Sequence, residues 1–213
     1  RELVQQLEEW KQKKDPEPVR DEQVVDYRNR LKDDGIPFVP LYQAVEFQPE
    51  LTKEQRGNLE AALEDMGLLD ALIIPQKHME QAMDLLENGC DKIITSTPKL
   101  MTSNLTQFLK GVPVDGCDVA LVDIEDALCS ILAYKEGQSF YIDEQGNYGM
   151  GIVVGKARDK VVSRYIGAES RRRYREQVIE ELENQLDELG QEMEKVRDRL
   201  NELNGDLAQL EEE

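Results

Sequence analysis

The stretch "MGIVVGKA" (150–157) is the part of the sequence that comes nearest to a nucleotide-binding motif. A phosphate-binding loop of the Walker type starts with glycine and follows its Gly-Lys pair with Ser or Thr, whose hydroxyl holds Mg²⁺. Here Met150 stands at the first position and Ala157 follows the Gly-Lys pair. The stretch therefore predicts a β-strand that ends in glycine, and we expect no nucleotide or other cofactor.

Other residues that could carry chemistry are few and scattered. His78 is the only histidine, which excludes a histidine dyad or a multi-histidine metal site. The three cysteines, Cys90, Cys117 and Cys129, include no C-x-x-C pair for zinc, and their odd number and wide spacing indicate reduced thiols in a cytosolic protein. The carboxylates at 123–126 begin a predicted helix, where negative charge favours the dipole, so capping is the better interpretation than a metal or catalytic pair. We expect no catalytic or metal-binding residue.

Residues 156–175 concentrate positive charge in a chain whose formal net charge is −19. Such a cluster can contact a DNA backbone or a partner, because phosphates are contacted by Lys and Arg. The alternative is structural pairing with the acidic N-terminal segment or with carboxylates of the central domain. Both interpretations stay open, and the residues concerned are Lys156, Arg158, Lys160, Arg164, Arg171, Arg172, Arg173 and Arg175.

The last 45 residues carry an unbroken apolar seam with alternating spacings of 3 and 4 residues. This heptad pattern predicts a left-handed coiled coil. A lone helix would leave the whole seam in water, at roughly 1.5–3 kcal/mol for each aliphatic side chain, so the seam needs a partner helix. The seam residues are Ile179, Leu182, Leu186, Leu189, Met193, Val196, Leu200, Leu203, Leu207 and Leu210.

The N-terminal segment has a shorter version of the same pattern, at Leu3, Leu7 and Trp10. Pro16 and Pro18 should end the first helix and start the next, because proline is tolerated in a first helical turn and not in a helix interior. We therefore predict an N-terminal coiled-coil arm at 1–34, broken near these prolines, that packs antiparallel against a C-terminal coiled-coil arm at 169–213.

Residues 35–168 have the composition of a mixed α+β globular domain, large enough to bury its own core. Thr52 and Gln55 form a capping-box pattern, and Gly67 is suited to close the helix that they start. Alternating apolar residues and turn signals indicate the other elements. We predict strands at 40–48, 68–75 and 91–97, a hairpin at 139–154 with its turn near 145–147, and helices at 51–67, 76–89, 103–111 and 123–134.

Two stretches carry a resemblance to a known family. "GIPFVPLYQAVEFQPELTKEQRGNLEAALEDMGLLDALIIP" (35–75) resembles the central domain of the large SMC-like, MukB-like subunit of bacterial Wadjet defence systems, the JetC family. "YGMGIVVGKARDKVVSRYIGAESRRRYREQVIEELE" (148–183) resembles the stretch where that domain returns to its coil. The resemblance covers about a third of the chain and implies the dimerisation hinge of a loop-extruding ATPase that acts against plasmid DNA. The ATPase heads and the contacts with other subunits would then lie in regions absent from this sequence.

From these features we expect a non-enzymatic, cytoplasmic homodimer whose dimer surface lies on the domain, around Phe140, Tyr141, Tyr148 and Val153. The alternative is a scaffold protein whose coil pairs with a partner chain. The sequence starts at Arg1 with no initiator methionine, so we expect a fragment of a longer protein. No apolar run approaches the roughly 18–20 residues that span a bilayer, so we expect no membrane partner.

Overall fold

The computed structural model describes residues 2–12, 15–135, 137–159 and 162–212. Its chain divides into two compact units. A helical unit comprises residues 1–15 and 172–213, and a domain unit comprises residues 16–171. The helical unit contains α1 (Glu2–Gln12) and most of α6 (Ala168–Glu212).

The domain unit combines short helices with small antiparallel sheets, which confirms the predicted mixed α+β class. Strand β1 pairs with β3, β2 pairs with β4, and β5, β6 and β7 form a three-stranded sheet in that order. The helices are α2 (Glu22–Asp33), α3 (Lys53–Asp65), α4 (Met79–Leu86) and α5 (Leu121–Ser130). The strands are β1 (Val39–Pro40), β2 (Val45–Phe47), β3 (Leu72–Ile73), β4 (Leu109–Gly111), β5 (Phe140–Ile142), β6 (Asn147–Met150) and β7 (Val153–Lys156).

Helix α3 forms where its local signals predicted it. The Thr52 hydroxyl accepts from the Gln55 backbone N–H, and the Gln55 side chain accepts from the Thr52 N–H at 2.9 Å, so the capping box is present. Gly67 closes the helix with a φ of +69°, the left-handed conformation that favours glycine. The sequence-based interpretation of this helix is confirmed.

Helix α2 belongs to the domain unit, whereas the sequence analysis assigned it to the N-terminal arm. Tyr27 and Leu31 are fully buried in one cluster with Leu72 and Ala82, and the Tyr27 hydroxyl donates to the Ala82 carbonyl at 2.8 Å. The apolar stripe of α2 thus faces the domain core and is not available to a coiled coil. The helix also starts at Glu22, four residues after the predicted start at Pro18.

Several predicted elements are shorter than expected or of another type. The helix predicted at 103–111 is wrong, because a 3-10 turn at Leu105–Gln107 leads into β4, which pairs with β2. The strand predicted at 40–48 is interrupted by a 3-10 turn at Leu41–Gln43, and the strand predicted at 91–97 is reduced to one bridge between Ile93 and Leu72. The secondary structure of these segments depends on pairing with residues distant in the chain, which local propensity cannot predict. No helix among the described residues combines the length and apolar character needed to cross a membrane.

Candidate interaction surfaces

The three-stranded sheet contains the predicted hairpin. The Asp143 carboxylate accepts from the backbone N–H groups of Gln145 and Asn147, which fixes the turn between β5 and β6 where it was predicted. A second turn at Gly151 and Ile152 adds β7, and Gly151 has a φ of +64°. The near-Walker stretch is therefore a β-turn followed by a strand, without the helix that a phosphate-binding loop requires at its end.

Aromatic rings cover the glycines of this sheet. A Cβ atom built on Gly149 would lie 2.4 Å from the Tyr141 ring, and one on Gly155 would lie 2.6 Å from the Tyr148 ring. Tyr141 is only 4% exposed, so its predicted place in a dimer surface is wrong: the ring is needed to cover the backbone of β6. Phe140 and Tyr148 are half-buried. Among the predicted surface residues, Val153 alone is well exposed, at 53%.

Strand β7 forms an edge of the sheet, and its Val153 and Val154, together with Ile152 of the preceding turn, present three consecutive apolar side chains to solvent. Ile152 is 101% exposed, Val153 53% and Val154 64%. Within the part of the chain that the structure describes, β6 is the only strand paired with β7. An apolar edge with unpaired N–H and C=O groups is a template for pairing with another chain. Ile152 and Val154 were missed by the sequence analysis, because periodicity does not report which face of a strand is left uncovered.

The predicted basic residues of the domain unit have different environments. Lys156, Arg158 and Arg164 are exposed, and Lys160 lies outside the described residues. The Arg171 side chain is half-buried and donates from Nη1 to the Tyr165 carbonyl at 3.0 Å. Arg171 therefore has a structural role in the loop that leads into α6.

In the helical unit, Arg175 binds backbone carbonyls near the end of α1. Its Nε donates to the Trp10 carbonyl at 3.1 Å and its Nη2 to the Lys11 carbonyl at 2.7 Å. A cation at a helix C-terminus satisfies carbonyls that lack a partner within the helix and favours the dipole. Arg172 is exposed, 3.9 Å from Glu176, and Arg173 is half-buried. Arg175 thus contacts the N-terminal segment through two backbone carbonyls, whereas the predicted partners were the acidic side chains of that segment.

Helices α1 and α6 run in opposite directions where they contact each other. The Trp10 and Tyr174 rings meet edge-on at 5.9 Å, while Leu3, at the other end of α1, lies beside Leu189 in a small cavity. Lys11 pairs with Glu183 at 2.6 Å. Leu182 is buried in this contact region, and Ile179 and Leu186 are half-buried.

Beyond Leu186, the seam side chains that the structure describes on α6 are exposed. Five side chains are between 44% and 73% exposed, namely Leu189, Met193, Val196, Leu200 and Leu203. The Leu207 and Leu210 side chains lie outside the described residues. The described seam therefore has a covered first part and an uncovered second part.

A buried carboxylate that was not among the predicted site residues binds the segment that precedes α6. Glu60 of α3 is 0% exposed. Its Oε1 accepts from the Arg164 N–H at 2.7 Å, and its Oε2 from the N–H groups of Tyr165 and Ile166 at 3.0 and 2.9 Å. The only signal in the sequence is an acidic residue inside the apolar run "NLEAAL" (58–63).

A second charged cluster holds the segment before α2. Arg20 donates two hydrogen bonds to the Asp70 carboxylate. Nε lies 2.7 Å from Oδ2, and Nη2 lies 2.9 Å from Oδ1. Arg28 donates to both Asp70 and Asp91. Although burial lowers the pKa of Arg20, the hydrogen bond and charge of Asp70 outweigh this and raise it. Burial raises the pKa of Tyr42, whose hydroxyl accepts from Arg20, to about 12.

Within the described ranges, the cysteines and carboxylates form no cluster of metal-ligand type. Burial raises the pKa of the Cys129 thiol, and the Asp126 and Glu125 charges act in the same direction, so the thiol is less reactive. Among the described residues, no three His, Cys, Asp or Glu side chains are grouped to hold a metal ion. Asp123 lies in the first turn of α5. The N-cap residue of this helix is Ala120, and no side-chain hydrogen bond caps the helix there.

No protein-family model, curated protein or solved structure matches the chain.

Proposed function

We propose that the chain is the dimerisation hinge of an SMC-like DNA-translocating ATPase that acts against plasmid DNA. The observation that carries this proposal is the exposed apolar edge of β7, together with the resemblance of 35–75 and 148–183 to the Wadjet subunit. The chain is non-catalytic and cytoplasmic in this proposal, and α1 and α6 are the beginnings of two coiled-coil arms. The antiparallel contacts of Trp10 with Tyr174 support such arms.

A second copy is the proposed occupant of the β7 edge. Two copies of one strand can pair antiparallel about a two-fold axis, because the edge N–H and C=O groups of each are complementary to the other. Ile152, Val153 and Val154 would be covered at the same time, and each such side chain contributes about 1.5–3 kcal/mol when fully buried. A polar edge strand would lack this driving force.

The test is the molar mass of the full chain with Val154→Glu, measured by light scattering across a concentration series. We expect a dimer that the substitution converts to a monomer, because a carboxylate on the edge opposes the pairing. The matched control is Val122→Glu on α5, since Val122 is 60% exposed and Val154 is 64% exposed. A Val154→Glu chain as dimeric as the control would contradict the proposed surface.

The uncovered seam on α6 supports the second candidate function, a scaffold whose coil pairs with a partner chain. In that case Leu200→Glu would abolish self-association and Val154→Glu would leave it intact. Leu200 is 54% exposed, so its replacement disturbs no packing within the chain. The two variants in the same full chain therefore distinguish the hinge from the scaffold.

DNA contact is a separate part of the proposal. Lys156 and Arg158 are the exposed cations beside the dimer edge, and each phosphate contact would release counterions. The double variant Lys156→Glu/Arg158→Glu should weaken binding to a plasmid fragment and lower its salt dependence. The control is Lys77→Glu, an exposed cation before α4. Equal binding by the double variant and the control would remove the DNA claim.

A further inference from the structure

The domain unit is joined to the rest of the chain through two connections, near residues 15–16 and 171–172. On the domain side, each connection is fastened by a carboxylate of the segment 60–70. Asp70 holds the first through Arg20, and Glu60 holds the second through three backbone N–H groups. Helix α3 and the turn after it therefore bind both ends of the domain.

Tyr42 contacts a residue of each of these two connections, Arg20 and Tyr165. Its ring is fully buried and meets the Tyr165 ring edge-on, with centroids 6.1 Å apart. Its hydroxyl accepts from Arg20 Nη2 at 3.2 Å, and its backbone N–H donates to the Leu69 carbonyl, next to Asp70. A continuous set of contacts thus runs from Arg20 through Tyr42 to Tyr165.

These contacts leave little room for independent movement. Arg20 is held by two bonds to one carboxylate, a geometry that fixes the plane of the guanidinium. Tyr165 is 8% exposed, and its N–H is bound to Glu60. Because interiors are close-packed, a displaced Arg20 withdraws its hydrogen bond from the Tyr42 hydroxyl and changes the position that the Tyr42 side chain can take.

We propose that Tyr42 couples the two connections energetically, so that loosening one loosens the other. The device is a collar made of Arg20, Tyr42, Tyr165 and the carboxylates of Asp70 and Glu60. It goes beyond the hinge function and does not depend on dimerisation. Because the chain passes between the two units at these two connections, the collar makes the domain respond to both as one element.

The test is amide hydrogen exchange of the full chain with Arg20→Ala. We expect exchange of the Arg164, Tyr165 and Ile166 amides to rise at least about fivefold, the lower end of typical coupling between sites. The buried Ile142 amide, bound to the Leu132 carbonyl, serves as the reference for global opening.

The matched control is Arg30→Ala. Arg30 also lies in the domain unit, on α2, and donates to the Asn88 carbonyl at 3.0 Å, away from Tyr42. The coupling is refuted if Arg20→Ala leaves residues 164–166 as protected as the control does. It is equally refuted if exchange at 164–166 rises only as much as at Ile142.

Two further variants test the route. Tyr42→Phe keeps the ring against Tyr165 and removes the hydroxyl, so Arg20→Ala in that background should change exchange at 164–166 by less than about twofold. Coupling is reciprocal, so Tyr165→Leu, which removes the ring contact with Tyr42, should in turn increase exchange of the Arg20 Nε–H, by at least about fivefold. An unchanged Arg20 Nε–H signal would overturn the role of Tyr42 even if Arg20→Ala failed to fold.

Discussion

Glu60→Gln tests whether a buried carboxylate, and not only apolar packing, fixes the loop that leads into α6. Glu60 is 0% exposed and accepts three backbone hydrogen bonds of 2.7–3.0 Å. Glutamine has the same length, but one of its two terminal atoms is a donor. The change therefore preserves shape and removes both the negative charge and one acceptor.

The geometry determines the size of the effect. If the amide oxygen takes the place of Oε2, it keeps the Tyr165 and Ile166 bonds, and the NH₂ group then faces the Arg164 N–H. A hydrogen bond to a charged group contributes about 1.5–3 kcal/mol, and a buried donor without an acceptor costs about 1–3 kcal/mol. We expect Glu60→Gln to lower the free energy of unfolding by about 3–5 kcal/mol, a large part of the 5–15 kcal/mol typical of a domain.

The assay is urea unfolding of the full chain, followed by circular dichroism and by amide exchange at residues 164–166. The control is Glu54→Gln in the exposed first turn of α3, where losing a favourable dipole interaction costs about 0.3–1 kcal/mol. A Glu60→Gln protein within 1 kcal/mol of the control would show that the three bonds contribute little, and the reasoning would fail.

Four further predictions each concern a single residue. Gly149→Ala should destabilise the domain by about 1–3 kcal/mol in urea unfolding, because its Cβ would enter the buried Tyr141 ring. Gly190→Ala, which meets nothing within 4 Å on α6, should instead raise helix stability by up to about 1 kcal/mol. The raised pKa of Tyr42 means that its contribution is fully present below pH 10 and lost as the pH rises towards about 12, so unfolding titrations should show a fall that Tyr42→Phe reduces. Arg175→Ala should lower helical ellipticity at 222 nm by fraying α1, and an unchanged signal would contradict its capping role.

The elements that could be predicted from sequence are those whose signals are local. Helix α3 has its cap at Thr52 and its stop at Gly67, and both act within a few residues. The segment at 103–111 also has a local start signal, the N-cap Asn104, but only a 3-10 turn follows it, and the last three residues form a strand because β2 offers a pairing edge. That edge lies about 60 residues earlier in the chain, so no local pattern within 103–111 indicates the pairing.

The candidate surfaces were only partly predictable for a similar reason. Alternation places Tyr141 and Val153 in strands. The Tyr141 ring, however, packs over Gly149, whose lack of a side chain leaves room for it. Likewise, arginines that are close in sequence have different binding partners in the structure. Arg175 binds carbonyls of α1, while Arg171 binds the Tyr165 carbonyl inside the domain. The clustering of arginines along the chain predicts a local positive charge, but it does not predict which groups each arginine binds.

The boundary of the domain is set by buried charge as well as by the apolar contacts of α2. The predicted domain begins at residue 35, yet the arginine partners of Asp70 and Asp91 are Arg20 and Arg28, which precede that residue. A chain cut at 35 would leave both carboxylates without these partners, and removing one member of a buried pair typically costs about 3–5 kcal/mol. The side chain of Asp91 is 6% exposed, so water cannot replace Arg28 there without opening the fold. The segment from Pro16 to α2 is therefore a necessary part of the domain, and any dimerisation surface on β7 has to be tested in a chain that retains it.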